Sequence, residues 1–237
     1  MKFNKIILCS VILIVLSFSV TAISAADLND TSDVSDVLKD DGDSKSFIDL
    51  NNDIASEDSS FNIESNYKFD NQTDRNYANG IRIAKADYTI NGNNHAIDCS
   101  NQARAFRVVG NNVEIKNLVI KNAYYGAGSA IFSNSKLTLN NVTFINCSGK
   151  DSSNMGAIVS SKGTLNVKNC KFIDNCGNEG ASITASLSRV TVDNSTFISS
   201  SDKILKGQIY LSNSNLTVLN SYFINTTSKY ATAIFAT

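Results

Sequence analysis

The decapeptide NNVTFINCSG at residues 140–149 returns in altered form three more times along this 237-residue chain. Its variants are KNCKFIDNCG at 168–177, DNSTFISSSD at 193–202 and LNSYFINTTS at 219–228. Each copy keeps an Asn, then two variable residues, then Phe-Ile. Recurrence at a fixed period is typical of a protein built by stacking copies of one small structural unit.

A longer alignment gives the pattern L-x-V-x-N-x-x-F-I-x-N, whose five copies are separated by 24, 28, 25 and 26 residues. Its first position holds Val113, Leu137, Leu165, Val190 and Leu216. Its third position holds Ile115, Leu139, Val167, Val192 and Val218. Its eighth position, which we interpret as a core column, holds Ile120, Phe144, Phe172, Phe197 and Phe223.

A second motif, two small residues and then Ile, lies between these copies. Its members are Ile131, Ile158, Ile183, Ile209 and Ile234, with Phe106 as an earlier member. Two short apolar alternations per period, separated by turn residues, indicate strands rather than helices. We therefore predict an all-β, right-handed parallel β-helix solenoid of about six turns, in which like residues stack on like.

Asparagine occupies one position in all five copies of the pattern: Asn117, Asn141, Asn169, Asn194 and Asn220. A turn must break the strand there, and Asn tolerates the left-handed backbone that such a turn uses. Stacked Asn amides can also hydrogen-bond along a column. These residues are therefore predicted to form a structural Asn ladder.

Two stretches carry a family resemblance: DYTINGNNHAIDCSNQARAFRVVGNNVEIKNLVIKNA at 87–123 and the repeated LTLNNVTFINC, first at 137–147. Together they resemble the adhesin-like surface proteins of methanogenic archaea, whose repeats are similar to those of polymorphic membrane proteins. The resemblance covers about residues 75–237. It implies a parallel β-helix of the pectin-lyase-like kind, a location at the cell envelope and a role in attachment.

The chain before residue 75 divides into two predicted segments. Residues 1–26 combine a basic start, an apolar run and small residues, which is typical of a secretory signal peptide; a retained anchor is the alternative. Residues 27–74 carry 14 acidic and 3 basic residues, a net charge of −11, and show no sustained period. We interpret them as a disordered acidic segment, with calcium binding as a weaker alternative.

The residues that could carry catalysis are sparse. Parallel β-helices include polysaccharide lyases and hydrolases, which need clustered carboxylates or a basic residue on one face. No two carboxylates share a column on adjacent turns, and the single histidine, His95, lies in a turn-like NGNNH stretch. No catalytic residue, metal site or cofactor is therefore expected. The acids considered are Glu114, Asp151, Asp174, Glu179, Asp193 and Asp202.

Four cysteines follow the leader: Cys99, Cys147, Cys170 and Cys176. Cys170 falls at an inward position and is interpreted as a buried thiol. Cys147 and Cys176 fall at nearly equivalent places on adjacent turns, so a disulfide between them is one alternative in an exported chain. Of seven Asn-x-Ser/Thr sequons, the best candidates for glycosylation are Asn29, Asn71 and Asn215.

Residues 75–237 carry a net charge of +8 that is spread along the repeats, which does not favour nucleic acid binding. No membrane span is expected after leader cleavage. We expect a secreted or cell-surface protein that is not an enzyme and that presents loops to glycans or other cells. A polysaccharide-active enzyme and a structural envelope spacer are the alternatives. The stretch ATAIFAT at 231–237 is predicted to leave an apolar strand edge open to an edge-to-edge partner.

Overall fold

The computed structural model describes residues 44–149, 155–199, 206–226 and 228–237. They form a parallel β-solenoid in which each turn contributes three short strands, one to each of three sheet faces, which we name A, B and C. Faces A and B belong to one 12-stranded sheet because two long strands run through the bend between them; face C is a separate 7-stranded sheet. The predicted fold class is confirmed.

Strands are numbered in chain order. Face A contains β1 Ser60–Asn62, β4 Thr89–Asn91, β7 Val113–Lys121, β10 Lys136–Ile145, β13 Thr164–Lys168, β16 Arg189–Asp193 and β19 Asn215–Leu219. Face B contains β2 Tyr67–Lys68, β5 Ala96–Asp98, the second halves of β7 and β10, β14 Lys171–Ile173, β17 Thr196–Ile198 and β20 Tyr222–Ile224.

Face C contains β3 Ile81–Ile83, β6 Phe106–Val108, β9 Ile131–Ser133, β12 Ile158–Ser161, β15 Ile183–Ser186, β18 Ile209–Ser212 and β21 Ile234–Ala236. A separate pair joins β8 Tyr124–Tyr125 to β11 Ser148–Gly149. Faces A and C each have seven members, so the stack has seven turns rather than about six. The additional turn is the first, residues 60–83, whose strands lack the repeated pattern.

The register places equivalent residues of the repeat opposite one another. Leu137 pairs with Val113 on one side and Leu165 on the other. The aromatic position behaves in the same way, because Phe144 pairs with Ile120 and with Phe172. Rings of Phe144, Phe172, Phe197 and Phe223 stack face to face, with successive centroids 5.0, 4.6 and 4.7 Å apart and planes within 9° of parallel.

Face C completes the core. The isoleucines of the second motif pair in order, and the column extends to Phe106 and Ile81 in the first two turns. Its members from Ile81 to Ile209 are at most 1% exposed. Each turn therefore closes one layer of a continuous apolar interior, because no single turn could bury these side chains alone.

The first turn is covered by helix α1, Phe47–Ser56. Phe47, Leu50 and Ile54 lie on its buried side, and the helix contacts β2 and β3. Ser46 begins the helix with a capping box, since its side chain accepts from the Asp49 backbone N–H while the Asp49 carboxylate accepts from the Ser46 N–H. Asp74, fully buried, accepts from the N–H groups of Phe47 at 3.0 Å and Ile48 at 3.2 Å.

The far end of α1 is also held. Lys85 Nζ donates to the carbonyl oxygens of Ile54 and Ala55, and Tyr88 Oη donates to Ile54 at 3.2 Å. A cation at a helix C-terminus satisfies carbonyl groups that have no partner within the helix. Both ends of α1 are thus tied to the solenoid.

This arrangement corrects the predicted boundary at residue 75. Residues 44–74 are part of the folded domain, and interpreting them as disordered was wrong. Their apolar residues are too few to show a repeat. Residues 60–74 nevertheless form part of the first turn, and the apolar side of α1 packs against that turn, which supplies the area that an isolated segment lacks. Residues 27–43 of the predicted disordered segment and the predicted signal peptide 1–26 lie outside the described residues.

Candidate functional site: the polar face and the Asn ladder

The outward side of face A carries two parallel columns of mostly polar side chains, which together we call the polar face. Strand alternation places them there, because the residues between them point into the core. The first column is Ser60, Thr89, Glu114, Thr138, Asn166, Thr191 and Thr217. The second is Asn62, Asn91, Lys116, Asn140, Lys168, Asp193 and Leu219. Six of the seven turns therefore present a hydroxyl or amide group on this surface, the exception being the third turn with Glu114 and Lys116.

The Asn ladder lies beside the polar face, at the bend between faces A and B. All five predicted members have a left-handed backbone, with φ between 45° and 55°. Asn117 Nδ2 donates to Asn91 Oδ1 at 3.0 Å, and Asn141 Nδ2 donates to Asn117 Oδ1 at 2.9 Å. Asn194 Nδ2 donates to Asn169 Oδ1 at 2.8 Å. The amides thus link adjacent turns on the outside of the solenoid.

Two rungs of the ladder differ from a simple column. Asn169 Nδ2 donates to Asn140 Oδ1 at 2.9 Å rather than to Asn141, and Asn220 Nδ2 donates to Asp193 Oδ1 at 3.0 Å rather than to Asn194. Asn140 and Asp193 belong to the polar face. The ladder therefore ties the second column of the polar face to the bend and restrains its side chains.

A second, shorter ladder lies at the end of face B and was missed by the sequence analysis. Asn146 Nδ2 donates to Asn122 Oδ1 at 3.0 Å, and Asn122 Nδ2 donates to Asp98 Oδ1 at 3.1 Å. Both asparagines are left-handed, with φ of 51° and 54°. The recurrence of Asn or Asp directly after the Phe-Ile pair was the available signal, because such residues favour left-handed positions.

The isoleucine of the Phe-Ile pair faces the opposite way from the phenylalanine. Ile145, Ile173, Ile198 and Ile224 are register partners on the outward side of face B. Ile145 and Ile173 are nevertheless buried. In the turns before them, the same column holds Lys121 and Asp98, whose Nζ and Oδ2 atoms lie 3.8 Å apart. This column of face B is thus largely buried in the middle turns, whereas the neighbouring outward column, with Thr143, Lys171 and Thr196, remains accessible.

The acids considered for catalysis lie apart. Glu114 is in the first column of the polar face and Asp193 in the second, three turns further along. Asp174 is exposed at the end of face B, and Glu179 pairs with Lys206 at 2.8 Å. Asp151 and Asp202 lie outside the described residues. Within the described part of the chain, no three His, Cys, Asp or Glu side chains are grouped so as to hold a metal ion.

His95 lies in the turn between β4 and β5. Its backbone N–H donates to Gly92 O at 2.8 Å, and its carbonyl accepts from Val119 N–H at 3.0 Å. Asn93 and Asn94 before it are left-handed. The turn therefore joins two strands and links them to the next turn of the stack.

The cysteines do not form the bridge that was considered. Cys147 and Cys176 are not joined: Cys147 Sγ points inward toward Ile120 O and Ile145 O, whereas Cys176 pairs with Ser148, one position further along. That one-residue offset turns the two side chains to different sides of the strand. Burial raises the pKa of the Cys147 and Cys170 thiols to about 12, and also raises that of Cys99.

The sequons differ in accessibility. Asn71 is exposed in the turn before the 3₁₀ helix Arg75–Tyr77, and Asn215 is exposed at the start of β19. Asn141 and Asn194 are exposed as well, but their amides take part in the ladder. Asn29 lies outside the described residues. Asn146 is exposed too, but its amide belongs to the second ladder, and Asn225 is exposed after β20. Asn71 and Asn215, with Asn225, are therefore the accessible candidates among the described sequons.

Two open depressions lie on the described surface. One of about 300 Å³ lies beside α1 and is lined by residues that include Asp53, Glu57 and Tyr67. Another of about 250 Å³ lies at the edge of the polar face, between Asp87 and Thr138. Neither resembles the deep apolar pockets that enclose small molecules. No helix among the described residues is long and apolar enough to span a membrane.

Comparisons with protein-family models, with curated proteins and with solved structures give no significant match. The class of protein is therefore defined by the fold and its surfaces: a parallel β-solenoid with a helical cover over its first turn.

Proposed function

We propose that this chain is a secreted or cell-surface attachment protein without enzymatic activity, and that the polar face is its binding surface. The observation that carries the proposal is the presentation of hydroxyl and amide groups on that face in six of its seven turns, restrained by the Asn ladder. A repeating surface of this kind suits a repeating polymer, because weak contacts add up over several turns. Glycan chains offer such repeats of hydroxyl groups.

The resemblance to archaeal adhesin-like proteins and the predicted signal peptide agree with this proposal. A polysaccharide lyase or hydrolase of the same fold is less well supported, since the described acids are dispersed and the described depressions are open. A structural envelope spacer would share the rigid stack but would need no binding surface. These three functions give different outcomes in one experiment.

The experiment is a glycan array with the chain expected after leader cleavage, residues 27–237, followed by product analysis. We expect binding to neutral glycans without release of reducing ends or unsaturated products. Release of products would instead establish an enzyme, and the absence of both binding and turnover would favour the spacer.

Matched variants test the surface itself. Thr138→Val and Thr191→Val remove hydroxyl groups from the polar face while keeping side-chain shape, and together they are expected to weaken binding several-fold. Thr143→Val and Thr196→Val make the same chemical change on the outward side of face B. Equal losses from both pairs would show that the polar face is not the binding surface.

We also propose an edge-to-edge partner at the last turn. Strands β19, β20 and β21 pair on one side only among the described residues, and Ile234 at this edge is 40% exposed. A parallel strand with unpaired N–H and C=O groups can accept a further strand. The proposed partner is a strand edge of another polypeptide.

A further inference from the structure

Two arginines project side by side from the outer surface of face C. Arg82 and Arg107 occupy the middle positions of β3 and β6 and are register partners. Both are exposed, while the residues on either side of them are buried in the core. Like charges directly opposite on neighbouring strands, about 4.8 Å apart, destabilise a sheet unless something compensates.

A third guanidinium group adds to this charge. Arg104 is 6% exposed and donates to Gly128 O at 2.7 Å, Ala127 O at 2.6 Å and Asn79 Oδ1 at 2.7 Å. All three acceptors are neutral. Burial lowers the pKa of Arg104 to about 10, and the nearby charge of Arg107 acts in the same direction. Arg104 therefore remains a cation next to the exposed pair, and the three form what we call the arginine cluster.

No described carboxylate balances this cluster. The ion pairs among the described residues are Lys45–Asp53, Lys121–Asp98 and Lys206–Glu179. Along the outward column of face C, Arg82 and Arg107 are followed by Phe132, Val159, Thr184, Tyr210 and Phe235. This column contains no acid, and Arg82 and Arg107 are exposed, so no described residue shields their charge.

Aromatic rings border the arginine cluster. Phe132 is the next residue of the column after Arg107, and its ring centroid lies 5.6 Å from Arg104 Cζ. The Tyr125 ring lies 4.8 Å from the same atom. Guanidinium groups next to aromatic rings offer charge-assisted hydrogen bonds and flat apolar surfaces together.

We propose that the arginine cluster binds an anionic polysaccharide, with Arg82 and Arg107 binding carboxylate or sulfate groups and with Phe132 contacting a sugar ring. Arginine binds planar carboxylates through two parallel hydrogen bonds. Because Arg82 and Arg107 lie on neighbouring strands, they can contact two charged groups of one polysaccharide chain. The polymer lies across β3, β6 and β9. Nucleic acid is disfavoured, because phosphate tracking needs many more cationic contacts than this surface offers.

This site lies on a different face from the polar face, so either can fail without the other. The test uses residues 27–237 and measures binding to polygalacturonate, to dextran sulfate and to neutral dextran by calorimetry at low and moderate salt. We expect binding to at least one anionic polymer that depends on Arg82 and Arg107, whereas any binding to neutral dextran should not depend on them. A higher affinity for polygalacturonate than for dextran sulfate would indicate a preference for carboxylate, and the reverse a preference for sulfate.

The decisive variant is Arg82→Gln/Arg107→Gln, which is expected to lower affinity about tenfold or more. Its matched control is Lys136→Gln/Arg189→Gln, which removes two exposed charges from a column of face A outside the polar face and is expected to lower affinity less than about threefold. Phe132→Ala keeps the charge and should weaken binding to the polysaccharide. Circular dichroism and urea unfolding establish that each variant is folded.

Three results would overturn the proposal. One is the absence of binding to both anionic polymers at low salt. Another is an equal loss in the decisive and control variants, which would indicate diffuse attraction to a basic domain. The third is equal binding of a single-stranded DNA of the same charge with the same dependence on Arg82 and Arg107, which would assign the cluster to nucleic acid.

Discussion

The two ends of the solenoid differ in how their core is closed. At the first turn, α1 lies over the stack, and Phe61, Tyr67 and Ile81 are 8%, 1% and 1% exposed. At the last turn, the columns that begin with these residues end in Val218 and Phe223, which are only partly buried, and in Ile234, which is 40% exposed. The same repeat therefore protects its apolar residues only where another layer covers them. Stability should accordingly fall from the covered end and the middle toward the seventh turn.

The largest expected effect is in the phenylalanine stack. Phe172→Ala, in the middle, removes a fully buried ring between two others and is expected to cost about 3–5 kcal/mol of unfolding free energy. Phe223→Ala, at the last turn, removes a partly exposed ring with one described stacking partner and should cost about 1–2 kcal/mol. Urea unfolding measures both. Equal costs would show that the last turn is as well packed as the middle.

The next effect tests the covered end. Asp74→Ala leaves the N–H groups of Phe47, Ile48 and Asp70 without their acceptor and is expected to cost about 2–4 kcal/mol. Asp70→Ala, an exposed position whose carboxylate accepts from Gln72 N–H, is the control and should cost about 1 kcal/mol or less.

Hydrogen exchange of the Asp74→Ala variant shows which turns of the stack are destabilised. Faster exchange should be confined to α1 and the first two turns, because each turn contacts only its neighbours. Equally faster exchange in residues 206–237 would show that the two ends are coupled through the whole stack. The two ends would then not differ in stability independently of each other.

The Asn ladder gives a smaller effect. Asn169→Ala removes the hydrogen bonds to Asn140 and Asn194. It also places Ala, which lacks the side-chain amide that stabilises Asn in a left-handed backbone, at φ 53°. The unfolding free energy is therefore expected to fall by about 1–3 kcal/mol. Asn169→Gly tolerates the same backbone and isolates the contribution of the amide bonds. Asn111→Ala, at an exposed turn position, is the control. Similar midpoints for Asn169→Ala and Asn111→Ala would mean that the ladder contributes nothing.

The smallest effect concerns the unpaired edge. Amides of β19, β20 and β21 should exchange faster than those of β13 and β14, and the chain should self-associate as its concentration rises. Light scattering over a concentration series measures the association. Ile234→Lys places a charge at the exposed edge and should reduce it, whereas Leu187→Lys changes an exposed leucine away from that edge. A monomer at every concentration would contradict the proposed edge-to-edge partner.

The columns of the core could be predicted from sequence because a parallel stack repeats each position in register. Leu137, Leu139 and Phe144 each have counterparts at a fixed offset in the following turns, so pairing partners follow from alignment alone. The left-handed bends could be predicted for the same reason, because Asn recurs at positions where few residue types tolerate a positive φ.

Other features depend on contacts that no repeat encodes. Helix α1 is held by Asp74 and Lys85, which lie 18 or more residues beyond its end and resemble no neighbouring repeat. Asn169 and Asn220 hydrogen-bond to residues of the neighbouring column, Asn140 and Asp193, and the choice of these partners depends on side-chain conformation. The arginine cluster depends on two strands outside the five aligned copies. Non-repeated contacts of this kind require the three-dimensional structure.

The pairing of every turn with only its neighbours also determines how the molecule responds to mechanical load. Tension along the stack acts on the strand hydrogen bonds between one turn and the next, so that the turns detach in sequence rather than all at once. Unfolding would begin at the exposed seventh turn. Each turn that detaches would add its residues to the extended part of the chain, while the remaining turns stay folded. A protein that holds a cell to a surface would thereby dissipate a pull in many small steps, and the covered first turn would be the last to yield.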